Sequence, residues 1–282
     1  MTANPPITRL LSKTEPLPVL FLGHGSPMNA LPGNSYFQSW QALGSQFGLT
    51  WPRPRLIVCV SAHWLTDGWW LTAMAQPKTV HDFGGFPKVL FEQQYPAPGF
   101  PEAALALSEF LRQPHNQQPL QLDEHTWGLD HGAWGVLKPM FPAADIPVIQ
   151  LSMDVRRPPS EHLALGRQLA PLRELGLLIV ASGNIVHNLG TMQGDARPDQ
   201  TFDWAREFDD TITGVLQVGD LQALQDFQKL GTIARLSHPS HEHFLPLLYA
   251  AAAASLGEKP KFFNADFQAA SISMRSVVWG DR

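Results

Sequence analysis

Cysteine is almost missing from this chain: there is one, Cys59, in 282 residues. A single thiol excludes any internal disulfide and any thiolate-rich structural zinc site, and it suits a reducing compartment. Charge is scarce too. Only 16% of the residues are charged and the net charge is -5. The nearest approach to a basic cluster is Arg156-Arg157, which two prolines follow. A nucleic-acid surface needs Lys and Arg gathered on one face, so no nucleic-acid partner is expected. The longest apolar stretch, Phe244 to Leu256, is too short to cross a bilayer and contains Pro246. The first sixteen residues lack the hydrophobic segment of a secretory signal. The expectation is a cytoplasmic protein that does not enter a membrane. Familiar catalytic signatures are also absent: Gly23-His24-Gly25 has no third glycine to complete a dinucleotide fingerprint, and neither a P-loop nor a Gly-x-Ser-x-Gly elbow occurs.

What the chain does have is apolar content, 44% of it, in short runs bounded by Gly, Ser, Asn and Pro. No Ser/Gly-rich linker divides it and no repeat recurs, so one α/β domain over residues 17–282 is expected, after a flexible segment 1–16. Strands are predicted at 17–22, 56–62, 119–122, 146–153, 177–181 and 271–279, and helices at 35–47, 101–113, 160–175, 201–217, 220–230 and 242–256. Residues 80–99 and 127–134 read as glycine- and aromatic-rich loops. Strands alternating with helices make a central, largely parallel or mixed sheet flanked by helices.

Three of the apolar runs break off toward a histidine: 17–22 before His24, 56–60 before His63, and 177–181 before His187. Open α/β sheets bind ligands beyond the carboxyl ends of their strands, where three such imidazoles can converge on one metal ion. The alternative is three unrelated loop histidines. A fourth candidate comes from His241-Glu242-His243. On a helix the two imidazoles point roughly 200° apart, and His243, next to the apolar run, is the one expected to face inward. Glu242 stands as a carboxylate donor or a helix N-terminal charge. His187 is either a ligand or an acid–base residue. Nitrogen and oxygen donors suit Zn²⁺, Fe²⁺ or Mn²⁺, and two histidines with one further donor leave room for substrate and dioxygen. His131, set between Asp130 and Gly132 with two tryptophans nearby, is a candidate proton shuttle. His81-Asp82 has a weaker claim of the same kind, and His115, His125, His162 and His238 read as surface or turn residues.

These motifs also match a family. Phe21-Leu22-Gly23-His24-Gly25-Ser26-Pro27-Met28, Ser61-Ala62-His63-Trp64, His81-Asp82-Phe83-Gly84-Gly85-Phe86-Pro87, Tyr95-Pro96-Ala97-Pro98-Gly99, Gly128-Leu129-Asp130-His131-Gly132 and Ala181-Ser182-Gly183-Asn184-Ile185-Val186-His187-Asn188 together resemble the DOPA-type class III extradiol ring-cleaving dioxygenases. The resemblance implies that fold and one non-haem divalent ion, Fe(II) for catalysis and often Zn(II) in isolated protein. It implies that His24 and His63 are ligands, that His243 stands where the wider class usually has a glutamate, and that His187 is a fourth ligand or the acid–base residue. The implied substrates are a catechol such as DOPA and O₂, giving a ring-opened semialdehyde. Two rival functions are a zinc-dependent hydrolase on a related fold and a non-enzymatic binding protein.

Overall fold

A computed structural model describes residues 7–197, 199–255 and 257–280. Ten strands are present among them: β1 (Val19–Gly23), β2 (Leu56–Leu65), β3 (Trp70–Thr72), β4 (Gln121–Asp123), β5 (Val148–Met153), β6 (Leu177–Gly183), β7 (Lys261–Phe263), β8 (Phe267–Gln268), β9 (Ile272–Ser273) and β10 (Ser276–Trp279). Eight form one mixed sheet in the order β4-β3-β5-β2-β6-β1-β10-β7, and β8 pairs with β9. The centre, β5-β2-β6-β1, is parallel. Its strands are buried on both faces, which is why they read as unbroken Val, Ile and Leu runs. Alternate residues feed two cores: Val19, Phe21, Val58, Val60 and Ile179 join one, and Leu20, Leu22, Ile57, Cys59 and Val180 the other.

Register sets the height of the site. Leu22 pairs with Ser182, and Ser182 with Ser61, so these three residues form one row across β1, β6 and β2. Two residues further on, His24 and His63 leave the same end of the sheet on the same face.

The structure departs from the sequence reading in several places. Residues 1–6 of the segment expected to be flexible lie outside the described residues. Beyond them Ile7 and Leu11 are buried, because their side chains join the core and a short helix, Ile7–Leu10, presents them to it. β2 runs on to Leu65 past a register irregularity, so His63 and Trp64 lie in the strand and not in a loop after it. The loop expected over 127–134 gives way to a helix, His131–Met140. Asp130 starts it by accepting the Ala133 N–H, a cap masked in the sequence by Gly132, Gly135 and Pro139. The last predicted helix begins at Leu245, leaving His243 in the turn before it. The last predicted strand is two pieces, β9 and β10. Finally, His162 and His238 are almost wholly buried, since each is hydrogen-bonded inside a nest of aromatic rings.

Candidate metal centre

At the tip of β1 the backbone of His24 continues the parallel ladder by donating to the Gly183 carbonyl at 3.1 Å. Its ring is buried, with Nδ1 3.0 Å from the Ser182 hydroxyl. His63 reaches in from β2, and the Nε2 atoms of the two rings are 3.2 Å apart. His243 arrives from the turn before helix Leu245–Ala253 and is held there because its carbonyl accepts the Asn184 N–H at 2.9 Å. Its Nδ1 faces Glu242 Oε1 at 3.3 Å, which leaves Nε2 as its free nitrogen. One nitrogen from each of the three histidines lies within 4.8 Å of the others.

His187 is not in that group. Its ring lies flat on His243, centroids 3.5 Å apart and planes 5° from parallel, and its backbone bridges to Ile272. His131, at the first position of its helix, stands with its ring 4.0 Å from that of His63. Asp130, which adjoins it in sequence, turns away to accept from Ser61 Oγ at 2.7 Å and from Gln150, fully buried beneath the site. The carboxylate that reaches both His63 and His131 is Asp82. Its Oδ2 lies 3.2 Å from His63 Nδ1, and its Oδ1 accepts the His131 N–H at 2.9 Å. From sequence, His81-Asp82 has only a weak claim as a proton shuttle, and the imidazole partners of Asp82 are not readable because they are fixed by how its loop docks on a helix that the sequence conceals. Beside these groups stands Phe83, edge-on to His131, while Trp64, the residue after His63 in β2, stacks on Trp127 at 6.0 Å.

Burial and mutual repulsion keep the imidazoles neutral. Burial, then the neighbouring His63 and His243, drives His24 well below its ordinary value. Burial and His187 do the same to His243. His63 is lowered to about 3 by burial and by His131, against the pull of Asp82. His187 falls to about 4, again chiefly by burial, with Glu242 opposing. Burial would raise Asp82, yet its hydrogen bonding to His131 and its electrostatic attraction to His131 and His63 outweigh that and hold it at about 2. Three neutral imidazoles beside an anionic carboxylate are in the protonation state that cation binding requires. The spacing of the His24 and His63 nitrogens fits as well. Two nitrogens at 2.0–2.1 Å from a tetrahedral ion stand about 3.3 Å apart.

The family model for the catalytic LigB subunit of aromatic ring-opening dioxygenase matches residues 8–278. The chain belongs to that family. Among curated relatives, the 4,5-DOPA dioxygenase extradiol of Escherichia coli K12 is 45% identical over 98% of this chain and 100% of its own length. The protein of the same name from Portulaca grandiflora is 37% identical, covering 86% of this chain and 87% of its own, and that from Beta vulgaris 33%, covering 91% and 94%. A crystal structure of the uncharacterized protein JW3007 from Escherichia coli K12 superposes with a TM-score of 0.78 at 40% identity, covering 94% of this chain and all of that one. The chain is therefore an extradiol aromatic ring-opening dioxygenase, and its mixed α/β domain is the architecture of this family. No helix among the described residues is long and apolar enough to cross a membrane.

Proposed function

We propose that this dioxygenase opens the ring of a catechol carrying an aliphatic side chain, such as DOPA, and that one divalent ion, Fe(II) in the working enzyme, is held by His24, His63 and His243. The observation that supports this most directly is the 3.2 Å approach of the Nε2 atoms of buried His24 and partly buried His63, two rings held well below their ordinary pKa. Two neutral nitrogens so close repel each other unless a proton or a cation lies between them. When bound, the ion supplies adjacent sites for the catechol oxygens and O₂ and a route for electrons between them.

The protein's own groups do the rest. His131 is placed to accept a phenolic proton as the catechol binds. His187, stacked on His243 and held neutral, is the second candidate for proton transfer, and we assign it that role in preference to a fourth ligand because its ring lies flat on His243 and outside the three-nitrogen group. Phe83, edge-on to His131, gives the ring an apolar neighbour that helps keep bulk water from the reacting carbon. Both atoms of O₂ enter the product. The bond between one hydroxylated carbon and its unsubstituted ring neighbour breaks, the former becoming a carboxylic acid and the latter an aldehyde. We assign the protein to the cytoplasm, where a chain whose single thiol is buried has no use for an oxidising environment.

The test is oxygen uptake by protein loaded anaerobically with Fe(II), on adding DOPA or a simpler catechol, with the visible spectrum followed. One O₂ consumed per catechol, with a yellow ring-opened product, is the expected result. Metal binding without uptake across a panel of catechols would overturn the proposal.

A further inference from the structure

We infer that Asp82 is a positioning residue that ties the metal-holding His63 to the proton-accepting His131 through the two oxygens of one carboxylate. The inference rests on the roles proposed above for those histidines. Oδ2 of Asp82 is 3.2 Å from His63 Nδ1, and Oδ1 is 2.9 Å from His131 Nδ1. Neither contact is aligned as an ideal hydrogen bond, and Oδ1 also accepts the backbone N–H of His131, whose side-chain Nδ1 is buried. That buried Nδ1 has no other partner. Contacts of this kind are often misaligned before substrate binds and tighten afterwards.

A neutral imidazole has one N–H and one lone pair, and whichever nitrogen meets an acceptor takes the proton. A carboxylate at both Nδ1 atoms therefore turns both lone pairs onto Nε2. For His63 that is the nitrogen facing His24, and for His131 it is the nitrogen left to receive a proton. The scaffold keeps the three groups in step. Trp134, from the His131 helix, donates its indole N–H to the Val80 carbonyl at 2.9 Å, and Val80 donates its own N–H to Leu129 at 2.7 Å. Phe83 lies edge-on to His131 from the other side of Asp82. The loop that carries Asp82 thus moves with the helix that carries His131.

Asp82→Asn tests the pairing, because an amide of the same shape keeps one acceptor and presents a donor to the other imidazole. Zn(II) affinity, measured by chelator competition, should fall about 10- to 100-fold in D82N and stay at the parent value in His131→Gln. In the Zn(II)-loaded protein, ¹⁵N NMR should show His63 protonated on Nδ1, a signal that D82N moves and H131Q leaves in place. With Fe(II), kcat should drop in both variants, and the double variant should lose little more than the worse single one, since the two residues act as a unit. Parent Zn(II) affinity together with an unmoved His63 signal in a folded D82N overturns the inference. His24→Ala separates that failure from failure of the site itself: if it binds Zn(II) as the parent does, the metal centre is elsewhere.

Discussion

At the scale of single residues the centre works through nitrogens that burial has stripped of protons. The expected outcome of His24→Ala or His63→Ala is loss of the bound ion, read by metal analysis of the purified protein. His131→Ala should keep the ion and lose about 10²- to 10⁴-fold in rate. Gly132 bears on the same geometry. A Cβ there would stand 2.9 Å from His63 Cδ2 and collide with the Ser61 hydroxyl. Gly132→Ala should therefore push His63 out of line at a cost of about 1–3 kcal/mol, and chelator competition together with thermal melting should show both losses. His24, His63 and His243 were legible in the sequence because each adjoins a run whose burial the composition announces. Asp82 was legible only as a weak candidate beside His81, since the role of a carboxylate in a glycine-rich loop becomes informative only when its neighbours in space are known. His238 misled for a related reason: Ser237, Pro239 and Ser240 mark a turn, while the rings of Phe208, Phe227 and Phe244 that enclose it come from three other places in the chain.

At the scale of elements, the segment 236–238 clamps the loop that carries His187. Leu236 accepts from the Asn188 amide at 2.7 Å, Ser237 accepts the His187 N–H at 2.9 Å, and His238 Nε2 donates to the Ile185 carbonyl at 2.7 Å. The same stretch leads into the turn that presents His243, so the stacking of the two rings is fixed from one side. His238→Phe deletes the buried donor while keeping an apolar ring, and it leaves the Ile185 carbonyl unpaired. A loss of about 1–3 kcal/mol is expected, with a slower proton-transfer step and unchanged metal content. Denaturant titration and steady-state kinetics would show both. The parallel strands were readable because nothing polar interrupts them. The His131 helix was not, because two glycines and a proline within ten residues argue against a helix that Asp130 and tertiary packing nevertheless secure.

At the scale of the whole molecule, the buried imidazoles link folding to pH. Burial lowers His162 from 6.5 to about 4 and His238 from 6.5 to about 3. The unfolded chain takes up these protons first as pH falls, so their contribution to stability is intact above 6.5 and is lost on acidification toward the folded values. Each should remove about 1.4 kcal/mol per pH unit across that window. Urea unfolding of metal-free protein at pH 7 and pH 5 should show the drop, and His162→Gln or His238→Gln should each lessen it by that residue's share, the site histidines supplying the rest. The mixed sheet itself followed from strand and helix alternation, whereas its antiparallel margin did not, since pieces as short as β3 and β7 carry too few residues to show a period. The three proposed ligands also lie far apart along the chain: His24 and His63 are 39 residues from each other, and His243 follows His63 after more than half the sequence. An ion joining them would close two long loops in a polypeptide that has no second cysteine with which to form a cross-link. It would then act as a removable staple, shrinking the entropy available to the unfolded ensemble and slowing the escape of the chain from its native topology. Chelation would therefore shorten the lifetime of the fold as well as silence the enzyme.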